Sequence, residues 1–147
     1  MRSFLYFCLL ACGAITSTLA LSQSAQNAQK TDSAAHKSKV TVEGLVRDVA
    51  CPIQNLEATA TQFNMQCLRA CAKAGSPLVI LTKDAELYLP ISDEMPDSDQ
   101  RPKLMPFLGK YVRASGTVYE RKGMHAIVIN EIKELTDVHL TIEVFDQ

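Results

Sequence analysis

The chain has no tryptophan, and four tyrosines and five phenylalanines bring its aromatic content to only 6% of 147 residues. From residue 40 onward the rings are Phe63, Tyr88, Phe107, Tyr111, Tyr119 and Phe145. Most of these positions suit core packing rather than a platform on which bases stack. Positive charge is also short, with 11 lysines and arginines against 15 aspartates and glutamates over the same stretch. An acidic excess is the wrong sign for tracking a phosphate backbone, so nucleic acid is not an expected partner. There is no glycine-rich phosphate loop, no Gly-x-Ser-x-Gly elbow, no His-Glu-x-x-His and no Cys-x-x-Cys. Without those motifs no catalytic or cofactor-binding residue is assigned. Asp93, Glu94, Asp97 and Asp99 are acidic enough for calcium but lack the alternation and central glycine of an EF-hand loop, and read as a solvated turn.

An apolar run is present at the N-terminus. Arg2 precedes residues 4–20, which are almost entirely apolar and run into Ser22, Gln23 and Ser24 with no basic cluster. The run is shorter than the roughly 20 residues that span a bilayer. It reads as a secretory signal peptide over residues 1–20, cut after Ala20 or two residues later, leaving no transmembrane span. The competing reading is a lipobox, Leu9-Leu10-Ala11-Cys12, which would leave an anchor on Cys12, although Leu10 stands where a smaller residue is usual. Both readings place the protein outside the cytoplasm, in a periplasmic or extracellular location. Residues 21–39, rich in Ser, Ala, Gln, Asn and Lys, read as a flexible linker that includes His36.

Residues 40–136 have the length of one small domain. Residues 40–49 alternate apolar and polar side chains around Gly44, a half-buried strand with a bend. Cys51-Pro52 ends it, and Asn55 is placed to cap a helix over residues 56–74, closed by Gly75, Ser76 and Pro77, although Thr59, Thr61 and Asn64 favour a later start. Residues 77–83 and 87–91 form a hairpin, with Pro90 at an edge or strand end. A helical turn is expected over 103–108, then strands over 110–121 and 125–135, the first of them bent at Gly116. The predicted fold class is mainly β with a helical insertion, a small five-stranded OB-like barrel with a helix after the first strand. Residues 137–147 alternate Val138, Leu140, Ile142 and Val144 and form a C-terminal tail or an extra strand.

Residues 108–119 and 127–132 resemble the last two strands of OB-fold-like proteins exported by bacteria. Together with Cys51, Cys67 and Cys71 ahead of a hairpin, the chain is similar to a group of uncharacterised exported envelope proteins with a Cys...Cys-x3-Cys cluster. The resemblance covers residues 40–135 and implies the barrel but no activity. In the usual OB fold the helix lies between the third and fourth strands, whereas here the longer helical segment follows the first, which leaves the strand order open.

Five cysteines are present; Cys8 and Cys12 lie in the apolar run, so the mature domain keeps three. In an oxidising compartment an odd count leaves one thiol over. The first reading is a disulfide from Cys51 to Cys67 or Cys71, worth about 3 kcal/mol by loop closure. The second is a metal site in which Cys51, Cys67 and Cys71 hold Cu(I) or Zn(II), with His125 or His139 as conceivable fourth ligands. The third is thiol redox chemistry. The resulting expectation is an exported, non-enzymatic binding or accessory module stabilised by a disulfide, whose partner is an envelope protein or small ligand. The alternative is a Cys-ligated metal-handling protein, followed by a thiol redox protein.

Overall fold

The structure, a computed structural model, describes residues 36–144. The expected signal peptide, Cys12, the linker up to residue 35 and the last three residues lie outside the described residues. Strand β1 (His36–Asp48) begins within the stretch read as linker, where His36 pairs with Glu120. Alternation along β1 divides its side chains between two cores. Val42 and Val46 join one apolar cluster with Leu78, Ile80, Val112, Ala114, Ile127 and Ile129. Leu45, one step out of phase, packs in a second cluster with Phe63, Leu68, Leu81 and Tyr111.

The first cluster belongs to a closed barrel in the order β1-β3-β4-β6-β5. Its other strands are β3 (Leu78–Leu81), β4 (Leu87–Pro90), β5 (Tyr111–Arg121) and β6 (Met124–Glu134). All neighbours are antiparallel except β4 and β6, which run parallel. This is the mainly β, five-stranded OB-like barrel expected from the sequence. A short helix, α3 (Arg101–Leu104), and a 3-10 turn (Met105–Phe107) lie between the third and fourth barrel strands, where an OB fold places its helix. Closure depends on two glycines. A Cβ on Gly44 would run into the Leu81 carbonyl, and one on Gly116 into the Val128 carbonyl. Gly116 also marks the register shift between β5 and β6, the bulge that bends a barrel strand.

The segment between β1 and β3 corrects the expected long helix. It contains α1 (Ala50–Gln54), β2 (Gln62–Asn64) and α2 (Met65–Lys73). Asn55 Oδ1 accepts from the Glu57 amide at 3.1 Å, and Thr59 Oγ1 from the Gln62 amide at 3.0 Å. These local bonds offer the backbone an alternative to the helical ladder. Asn64, not Asn55, caps the helix, its side chain accepting from the Cys67 amide at 2.7 Å. The C-terminal segment supplies the extra strand, β7 (Thr141–Glu143), parallel to β2. Among the described residues, no helix is long and apolar enough to cross a membrane.

Candidate metal centre

Two helices bring the thiols together. Cys51 lies in α1, directly after the end of β1. Cys67 and Cys71 lie one turn apart on α2, so both side chains leave the same helix face. The three Sγ atoms all lie within 4.8 Å of one another. Three cysteines are therefore close enough to hold a metal ion. Cys51 and Cys71 are half-buried and Cys67 is exposed.

Among the described residues no pair of cysteine sulfurs stands at disulfide-bonding distance. All three cysteines are free thiols, and Cys51 Sγ stands 3.7 Å from Cys67 Sγ, within hydrogen-bonding range but not bonded. A sulfur-sulfur bond needs about 2.05 Å. Two sulfurs on a tetrahedral ion with bonds of about 2.3 Å stand about 3.8 Å apart, and in a trigonal plane about 4.0 Å. The Cys51–Cys67 separation matches that spacing, and the third sulfur lies within 4.8 Å of both, an arrangement compatible with a ligand set.

The helix carrying two of the thiols is fixed at both ends. Asn64 caps its start, and Arg101 from α3 reaches its end, donating from Nη1 to the Ser76 carbonyl and from Nη2 to the Ala72 carbonyl, each at 2.6 Å. The Ala72 carbonyl also accepts from the Gly75 amide at 3.1 Å, so the guanidinium adds a second donor there and places positive charge at the helix C-terminus, where it complements the dipole. Leu68 and Ala72, both buried, hold the adjoining face of α2 against the two cores.

Two charged residues that the sequence reading passed over flank the cluster. Asp48 is fully buried; its Oδ1 accepts from the Cys51 amide at 3.0 Å, and its Oδ2 has no partner. Arg47, only 5% exposed, leaves its Nε unpartnered. Burial, the hydrogen bond with Cys67 and the negative charge of Asp48 push the Cys51 thiol up to about 12, against the opposing pull of Arg47. Burial and Asp48 likewise push Cys71 upward. Both thiols are therefore protonated at neutral pH, and a metal must displace those protons to bind. The signal that could have exposed Asp48 is its position three residues before Cys51, the spacing at which a carboxylate caps a first helical turn.

Neither histidine joins the thiols. His125, on β6, packs against Tyr88 with ring centroids 5.0 Å apart, and His139 is exposed ahead of β7. The acidic loop has a local role. Asp97 Oδ1 accepts from the Ser92 amide at 2.7 Å and hydroxyl at 2.9 Å, which lowers the Asp97 pKa. Comparison with known protein families, characterised proteins and solved structures finds no match to this chain.

Proposed function

We propose that the protein is an exported, non-enzymatic binding module whose ligand is a soft metal ion, Zn(II) or Cu(I), held by Cys51, Cys67 and Cys71. The observation that carries this reading is the convergence of three thiols within 4.8 Å from two separate helices. Thiolates select these ions over hard cations. The buried, unpartnered Asp48 Oδ2 supports the same reading, because a cation nearby offsets the cost of an uncompensated carboxylate oxygen. Export rests on the apolar run at residues 4–20.

The test is anaerobic loading of the reduced protein with Zn(II) or Cu(I), followed by native intact mass. One ion per chain is expected, with Cys51→Ser, Cys67→Ser and Cys71→Ser each losing it in competition with a chelator. A fully reduced chain that retains no metal through gel filtration would overturn the reading. A disulfide between Cys51 and Cys67 in the protein recovered from its own compartment would favour the structural role instead.

A further inference from the structure

Three thiolates leave a tetrahedral Zn(II) one donor short. No described histidine or carboxylate joins the group of mutually close ligand atoms. The cluster does, however, border a cavity of about 430 Å³ lined by Cys51 and Cys67 together with Arg47, Glu57, Glu143 and Phe63. Arg47 is more than nine-tenths buried there, and its Nε is a buried donor with no partner. Glu143 is already engaged by Gln62 Nε2 at 2.6 Å, whereas Glu57 accepts no side-chain bond among the described residues. One cavity therefore presents two sulfurs, a buried cation and two carboxylates.

We infer that this cavity binds a small amino-acid-like thiol, of which free cysteine is the simplest, as the fourth ligand of a zinc-loaded centre. The inference rests on the metal reading above. The incoming thiol loses its proton to solvent as its sulfur bonds to the metal, with no change of oxidation state. Its carboxylate pairs with Arg47, whose planar fork suits a two-point contact. Its ammonium group meets Glu57 and Glu143. A ligand lacking either charged group leaves part of the cavity uncompensated, which is the basis of discrimination.

Native mass spectrometry of the zinc-loaded full chain, titrated with L-cysteine, L-serine, cysteamine and 3-mercaptopropionate, tests this. One cysteine per zinc-loaded chain is expected and no serine. Cysteamine, without the carboxylate, should bind about tenfold more weakly or worse. Arg47→Met should abolish the difference between cysteine and cysteamine. If that variant fails to fold, Arg47→Lys and the ligand series on the unaltered chain carry the comparison. Equal binding of cysteine and cysteamine would overturn the proposal, as would removal of the zinc without a ternary complex. A chain that holds zinc but adds no thiol removes this inference alone; a chain that holds no zinc removes the metal reading with it.

Discussion

Asp48 and Cys51 show what a single residue contributes here. The fold raises the Cys51 thiol from its ordinary 9.0 to about 12, so the folded state favours the protonated form. That contribution to stability is complete below pH 9 and is lost as pH rises through about 12. The metal-free protein should therefore lose stability across this alkaline window, and Cys51→Ser should lose less, as followed by denaturant unfolding at a series of pH values. Tyr88, raised to about 12 by burial and Glu86, titrates at the top of the same window and is retained in the variant, so the difference reports the thiol cluster, in which Cys71 is also raised and interacts with Cys51 and Cys67. At Gly44, substitution by alanine drives a methyl into the β3 backbone and should cost about 1–3 kcal/mol, the usual penalty of overpacking, measured as a lowered denaturant midpoint. Gly44 was readable in the sequence because it interrupts a clean alternation. The orphaned atoms of Arg47 and Asp48 were not, since burial at the end of a strand depends on what the following ninety residues cover.

At the scale of the element, α2 is the component that must be held still. Arg101→Met removes two charge-assisted bonds to the helix end and should cost about 1.5–3 kcal/mol, while Arg101→Lys, unable to reach both carbonyls with one fork, should recover only part of it. Thermal unfolding checks the loss. Asn64→Ala, which strips the cap from the other end, should cost about 1 kcal/mol and weaken metal retention through Cys67, whose amide it holds. The sequence marked the end of this helix well, since Gly75 and Pro77 punctuate it. Its start was obscured because Asn55 and Asn64 are equally good caps on paper. The choice between them is made by Thr59, which takes up local amides, and by Phe63, buried in the outer core. The barrel strands were legible from residue 40 onward, because alternation and two bending glycines are local signals, whereas the first four residues of β1 carry no apolar alternation and read as linker.

For the whole molecule, the barrel core and the thiol centre are separable. The inner cluster is built from barrel strands with Leu104 and Ala72 and contains none of the three cysteines. A chelator should therefore lower the melting temperature of the metal-loaded protein while leaving its far-ultraviolet β spectrum intact. The stabilisation removed should be about 2.7 kcal/mol at a hundredfold excess of ion over Kd. Side-chain clusters across helices were beyond the sequence, which placed the three cysteines in one stretch without fixing whether two would pair or all three converge. The insertion that carries them is fastened by the last strand of the fold, β2 lying along β7, and Asn64 Nδ2 donates to the Glu143 carbonyl across 79 residues. During synthesis Cys51, Cys67 and Cys71 all emerge well before that fastening exists. The thiols are thus made before the strand that fastens their segment, and the clamp on the insertion is complete only when β7 arrives.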